Sequence, residues 1–355
     1  MSRYLLVDFL VLFAFGLATL WVRRSRKRAA MPPGPRSHGL WLDNSREVLK
    51  SGKPRWMVFG KWKDEYGLIF TIRLGTKVGV VISSAQIAWD LLEKRGDIYS
   101  SRPRNIVAGE ILSRGFRGLF APYGDKWRKF RKILNIGLSG KQALTCRAFQ
   151  TLESAVLLQQ ILDTPASFLH HVERFAVSTV FSISYGRRIK SIEDPIVKEH
   201  SEVINGHLHE VRDKMANGTA KECMSSRVLS ANMPEGYSEE GLAFAASSPY
   251  VAGVDTTLAT LHVFLLATVC NPEVMKKAQA ELDTVVGRER LPTFQGENIL
   301  PYCGALIKEV TRQVSLWRPV APLGVAHATT RDDYHNGYIL HSSGNNDLAE
   351  HLLNG

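Results

Sequence analysis

Ala252-Gly253-Val254-Asp255-Thr256-Thr257 sets a glycine, an acid and two hydroxyls in the middle of an apolar run, residues 238–270. Burying a carboxylate or hydroxyl without a partner is costly, so an acid there implies a partner, a ligand or a proton to move. Thr256 follows Ala252 by four residues, and its hydroxyl can bond back to the Ala252 carbonyl, which bends or opens a helix locally. With Gly253 beside it, the spacing predicts a notch for a diatomic molecule or a water, and Asp255 can relay protons to it from solvent. The plainer reading is a kink satisfied by Thr256 without chemistry. Ser238 with Glu239 and Glu240 makes a capped helix start, and Asn271-Pro272 a stop, so one helix of about 33 residues, roughly 50 Å, is expected. A membrane span is the alternative, opposed by Asp255, His262 and the Ser247-Ser248-Pro249 interruption. The sequon Asn217-Gly218-Thr219 discriminates, since only a lumenal segment would be glycosylated.

Outward from that run, 355 residues at 45% hydrophobic content suffice for one large domain or two modest ones. The formal charge of +11 draws five of its positive residues from Arg23, Arg24, Arg26, Lys27 and Arg28, so no nucleic-acid partner is expected. That basic cluster follows residues 4–22, apolar except for Asp8 and Thr19 and about 28 Å long as a helix, enough to cross a bilayer. Basic residues after the span place the rest of the chain in the cytoplasm; a buried N-terminal helix is the alternative. Met31-Pro32-Pro33-Gly34-Pro35 reads as a stiff extended connector. Cys146, Cys223, Cys270 and Cys303 lie too far apart for a metal or redox motif and are expected reduced and mostly buried.

Phe70, Ile72 and Leu74 alternate with Thr71 and Arg73; a Gly75-Thr76 turn and the series Val78, Val80, Ile82 follow, which predicts a hairpin with one buried face. Beyond it, residues 123–138, 166–184, 195–215, 238–270, 272–286 and 301–315 carry helical patterns broken by Gly and Pro. No internal repeat or low-complexity tract is present. The body reads as mainly α with a small β-sheet.

Trp127 and Arg131 share a helix face crowded by Lys126, Arg128, Lys129 and Lys132, and an indole donor beside a guanidinium suits a carboxylate pair. An exposed basic helix is the alternative. Glu309 and Arg312 also share a face, a spacing that gains information from its surroundings: Pro301-Tyr302 upstream, then Trp317-Arg318-Pro319 and Pro322-Leu323-Gly324-Val325-Ala326-His327 downstream.

The anchor, the proline connector, Trp127-x-x-x-Arg131, Ala252 to Thr257, Glu309-x-x-Arg312 and the Pro-rich run to His327 stand in the order found in cytochrome P450 monooxygenases. Over about residues 31–339 the chain resembles the microsomal-type enzymes of fungal secondary metabolism. The resemblance implies the cytochrome P450 fold on an N-terminal transmembrane helix, haem b as cofactor, and electrons from a membrane-bound NADPH-cytochrome P450 reductase. It implies an endoplasmic reticulum membrane location, single-pass, and insertion of one oxygen atom from O2 into a lipophilic substrate. On that pattern Trp127, Arg131 and His327 hold the haem propionates, Ala252 and Gly253 line the oxygen notch, and Asp255 and Thr256 deliver protons. Glu309 and Arg312 form a structural ion pair, and the cations around Lys129 and Lys132 dock the reductase.

The chain also departs from the family. The axial cysteine of that family lies in a Phe-x-x-Gly-x-x-x-Cys-x-Gly loop downstream of the Glu-x-x-Arg helix. Residues 313–355 contain no cysteine, and Cys303 precedes the pair within its own helix. The third partner of the Glu-Arg network is missing too. Gly337-Tyr338-Ile339 fits the family, after which the sequence diverges. Between Tyr185-Gly186-Arg187-Arg188 and Ser238 only one helix fits where the family has two, with Val197, Ile204, Leu208, Val211 and Met215 on one side. The expected organisation is therefore an anchor at 1–22, a hinge at 23–36, a partial P450 domain at 37–340 with an internal gap near 188–238, and a divergent tail at 341–355. The chain is expected to be inactive as a monooxygenase. The rival readings are a membrane-bound interaction protein that competes for the reductase, and a two-span membrane protein. No metal ligand set is expected: His327 or His341 would lack the thiolate push, while His170-His171 and His207-x-His209 read as surface residues.

Overall fold

A computed structural model describes residues 31–36, 44–74, 77–191, 193–194, 204–231, 237–316 and 324–342. The anchor at 4–22, the basic run, the Gly75-Thr76 turn, Trp317-Arg318-Pro319 and nearly all of the tail lie outside them. The chain divides into two compact units, Met1–Pro103 with Leu323–Gly355, and Arg104–Pro322.

In the first unit, helices α1 (Asn44–Lys50) and α2 (Arg55–Tyr66) precede an antiparallel hairpin of β1 (Ile69–Leu74) and β2 (Lys77–Ile82). Asn44 ties α1 to the hairpin by accepting the Arg73 amide at 2.7 Å. The two-residue turn pairs Leu74 with Lys77, and from there Ile72 with Gly79 and Phe70 with Val81. Phe70 and Ile72 therefore share a face with Val81, whereas Ile69 shares the opposite face with Val80 and Ile82. This corrects the expectation of a single buried face. One side packs on Val48, Phe59 and Trp62; the other packs on Leu91, Tyr99 and Leu340. The stretch 31–35, expected as a stiff extended connector, is laid against β1: the Thr71 amide donates to the Pro33 carbonyl at 2.8 Å. A Cβ on Gly34 would fall 1.9 Å from the Thr71 carbonyl oxygen, so only glycine allows this approach.

After β2 the chain forms α3 (Ala85–Ala88), a π-helical turn (Trp89–Glu93) and α4 (Gly96–Tyr99). A second hairpin joins β3 (Asp333–His335) to β4 (Tyr338–Leu340). Asn336 (φ 49°) and Gly337 (φ 82°) supply the two positive φ angles of a tight hairpin turn. Asp333 anchors this hairpin by accepting from Arg95 at 2.6 Å and from the Tyr99 hydroxyl at 2.8 Å.

The second unit is helical: α5 (Asp125–Leu138), α6 (Gly140–Thr145), α7 (Arg147–Asp163), α8 (Phe168–Tyr185), α9 (Ile204–Ala216), α10 (Met224–Ser230), α11 (Glu239–Ala246), α12 (Ser248–Cys270), α13 (Pro272–Val285) and α14 (Pro301–Leu316). Its core joins Phe130 and Ile133 of α5, Val177 and Phe181 of α8, Leu208 and Val211 of α9, Met224 of α10 and Leu242 of α11. The single helix expected over 238–270 is two, separated at Ser247. Pro249 has no N–H to continue the ladder, and the Ser247 and Ser248 hydroxyls both bond to the Phe244 carbonyl, at 2.9 and 3.1 Å. Ser238 does cap α11, accepting the Gly241 amide at 3.1 Å. The helix expected over 195–215 is described from Ile204 on.

Candidate functional site

The Ala252 to Thr257 stretch lies on α12, which runs unbroken from Ser248 to Cys270. Thr256 Oγ1 donates to the Ala252 carbonyl at 2.8 Å, the back-bond expected from the spacing, and the helix absorbs it without opening. Helical periodicity splits the motif into two faces. Gly253 points with Tyr250 toward α8: a Cβ at Gly253 would meet Val180 Cγ2 at 2.9 Å, and the Tyr250 ring packs edge-on against Phe181 at 4.8 Å. Asp255 lies on the far side of the helix, Ala252 and Thr256 lie at its edge, and all three are exposed. The carboxylate expected to be buried is therefore in water, and Gly253 serves close helix packing rather than the same notch. Farther along the outer face, Leu266 is 63% and Val269 76% exposed. Taken together across the turn at Ser247, α11 and α12 (Glu239–Cys270) are the one stretch among the described residues long and apolar enough to cross a membrane, a weak indication by itself.

Trp127 and Arg131 meet as expected, with the guanidinium 5.9 Å from the centre of the indole ring, and Tyr123 packs on Trp127 at 5.1 Å. Phe130, Ile133 and Gly137 face the core from the opposite side of α5. Lys126, Arg128, Arg131 and Lys132 are exposed, while Lys129 is half-buried. Arg128 is paired with Asp125 at 2.8 Å.

Glu309 and Arg312 form a two-pronged ion pair, Nε to Oε2 at 2.7 Å and Nη2 to Oε1 at 2.6 Å. Their side chains are 45% and 58% exposed, so the pair sits in water. The N-terminus of α14 is held by a carboxylate that the sequence pattern did not reveal. Glu281 of α13 accepts the amides of Tyr302 and Cys303 at 2.9 and 2.8 Å. Burial opposes ionisation there, but these backbone hydrogen bonds keep Glu281 below the ordinary carboxylate range.

His327 belongs to the first unit. Its Nδ1 lies 2.6 Å from the Tyr99 carbonyl, which can only accept, so Nδ1 carries the proton. Burial, assisted by the Arg102 cation, holds His327 below the ordinary imidazole range despite that bond. In the neutral ring Nε2 is an acceptor, the wrong polarity for a propionate carboxylate; that role requires the protonated ring. Arg102 fixes the same segment by donating to the carbonyls of Val325 and Ala326 at 2.8 and 3.0 Å.

His207, read as a surface residue, is 6% exposed and lies between the rings of Phe181 and Tyr185, at 5.4 and 4.9 Å. His170 and His209 are exposed as expected. Only Cys223 of the four cysteines is buried, and Cys270 is exposed.

A helical body with small sheets, a Thr-bearing apolar helix packed on its neighbours and a Glu-x-x-Arg helix define a class, and comparison with known proteins names it. The cytochrome P450 family model matches residues 32–221 and 195–342. Cytochrome P450 monooxygenase 58 of Postia placenta is 34% identical over 379 aligned residues, covering 93% of this chain and 70% of that protein. Cytochrome P450 monooxygenase claR of Ampulloclitocybe clavipes is 32% identical, covering 92% of this chain and 69% of its own length. Cytochrome P450 monooxygenase virE of Hypocrea virens is also 32% identical, covering 93% and 68%. The chain belongs to the cytochrome P450 family.

Haem is the cofactor of that family, held by a cysteine thiolate. The cysteines here do not fit that role. Cys303 lies beside Glu281 and 3.8 Å from the Ala278 carbonyl, and burial together with Glu281 pushes its thiol up to about 11. Cys223 is 1% exposed, and its Sγ accepts the Ser226 amide at 3.4 Å as the cap of α10. Cys146 bonds to the Gln142 carbonyl at 3.6 Å. No group of three or more metal-ligating side chains occurs among the described residues.

Proposed function

We propose that this chain descends from a membrane-tethered fungal monooxygenase that oxidises a lipophilic secondary metabolite with O2 and a NADPH-dependent reductase, and that the 355-residue polypeptide does not itself catalyse the reaction. The observation that carries this reading is the state of Cys303. It is the cysteine nearest the Glu309–Arg312 pair along the chain, it lies on the same helix, and its thiol is engaged by the Ala278 carbonyl at 3.8 Å. A gap near 188–238 is supported by the two family-model matches, which overlap at 195–221. The 379-residue alignment, longer than the chain, also requires that the relative carry residues absent here.

The test is a reduced carbon monoxide difference spectrum of the full chain, expressed with haem supplied. No thiolate-type Soret band is expected, and its appearance would sink the proposal. The apolar segment at 4–22 followed by five basic residues supports an endoplasmic reticulum anchor with a cytoplasmic body. The four exposed cations of α5, Lys126, Arg128, Arg131 and Lys132, support retained reductase docking. Co-purification with the reductase at low salt is expected and should be lost in Lys126→Glu/Lys132→Glu; equal retention of the double variant refutes docking through this face.

A further inference from the structure

A cavity of about 380 Å³ in the second unit lies where the end of α8 meets the turn after α9, away from every residue discussed as part of the oxygen site. Arg187, Arg188, Lys214 and Lys221 line it together with Tyr185 and Thr219. Gly186, at φ +67°, ends α8, and a Cβ there would sit 3.2 Å from Lys221 Cβ, so the glycine lets the two segments close and brings their cations to one cavity.

Three of the cations are fixed from behind by carboxylates. Arg187 Nη2 lies 3.3 Å from both Asp194 oxygens, and Lys214 Nζ lies 2.6 Å from Glu210 Oε1. Arg188 Nε donates to Glu153, which is fully buried and also paired with Arg174. The two terminal amino groups of Arg188 have no partner among the described residues, and neither does the Lys221 ammonium. Four cations (Arg187, Arg188, Lys214, Lys221) therefore line the cavity, two of them with hydrogen-bond donors that face no carboxylate among the described residues.

We propose that this cavity binds a phosphate monoester. The open guanidinium donors of Arg188 match phosphate oxygens in pairs, and the Lys221 ammonium supplies a further charge-assisted donor. The volume lies within the range of small-molecule sites and leaves room beside the phosphate for an organic remainder against Tyr185 and Val211. The phosphate can come from a soluble metabolite or from a lipid headgroup.

The test uses the full chain in detergent, titrated calorimetrically with glycerol 3-phosphate. A parallel arm measures retention on phosphatidylcholine vesicles with and without phosphatidic acid, which carries the same headgroup. Lys221→Glu is the diagnostic variant because Lys221 is exposed and holds nothing in place; Lys277→Glu on α13, with the same net charge, is the control. Saturable binding that weakens about tenfold in Lys221→Glu and is unchanged in Lys277→Glu supports a soluble ligand. The same variant pattern confined to phosphatidic acid vesicles assigns the phosphate to a lipid. Binding in neither arm, or equal loss in both variants, overturns the site.

Discussion

Gly253 and Thr256 stand three residues apart and do unrelated work. The glycine lets α12 approach α8, where a Cβ would lie 2.9 Å from a Val180 methyl. The threonine hydroxyl bonds to its own helix in water. Gly253→Ala is expected to destabilise the fold by about 1–3 kcal/mol through overpacking, and a Val180→Ala background should return part of that loss. Thr256→Val should remain within about 0.5 kcal/mol of wild type. Urea unfolding of the four chains decides it; a Gly253→Ala protein as stable as wild type would show that the two helices separate freely. The sequence placed both residues in one helix and named the Thr256 back-bond correctly. It did not reveal that the helix turns Gly253 into the packing with α8 and leaves Thr256 at its exposed edge, because apolar residues surround α12 and leave no polar stripe to orient it.

Among the elements, α7 was invisible to hydrophobic periodicity, and its packing shows why. Leu152, Leu158 and Leu162 are exposed, whereas the residue it buries is Glu153. Glu153 accepts from Arg174 of α8 and from Arg188 just beyond it, so a carboxylate rather than an apolar stripe docks this helix. Glu153→Gln is expected to cost about 3–5 kcal/mol, since it leaves two guanidinium groups facing a neutral amide, with Arg174 fully enclosed. A midpoint of urea denaturation unmoved by the substitution would show that the pair contributes nothing. Strand register was legible in principle: the two-residue turn fixes Leu74 opposite Lys77, and parity then puts Val81, not Val80, beside Phe70. Asn336-Gly337 is an equally direct turn signal, but strands of only three residues leave no alternation on either side of it to mark a hairpin.

At the scale of the whole molecule, the order of motifs identified the family, while burial, which decides what the motifs can do, could not be read from one chain. Glu309 and Arg312 pair as the spacing requires, yet in water, and His327 is engaged by the Tyr99 carbonyl. Titration provides a global check. Burial lowers the pKa of His207 in the second unit and of His327 and His335 in the first. A histidine whose folded pKa lies below its unfolded value favours the folded state fully above the unfolded value, about 6.5. That contribution is lost as pH falls toward the folded values, because the unfolded chain then binds more protons. Stability is therefore expected to decline below about pH 6.5, with a smaller slope in His207→Phe, whose ring suits the Phe181 and Tyr185 neighbours. Superimposable pH profiles for the two proteins would refute the assignment to His207.

The contact between Gly34 and β1 has a mechanical side. Residues 31–36 meet the sheet through the Pro33 carbonyl and the Thr71 amide, with no room between Gly34 and the Thr71 oxygen. Any pull exerted through the N-terminal segment is delivered to the β1 backbone before it reaches α1 or α2. The first hairpin is thus the strain gauge for a load applied at residues 31–36, and Gly34→Ala would move the point at which that load enters the fold.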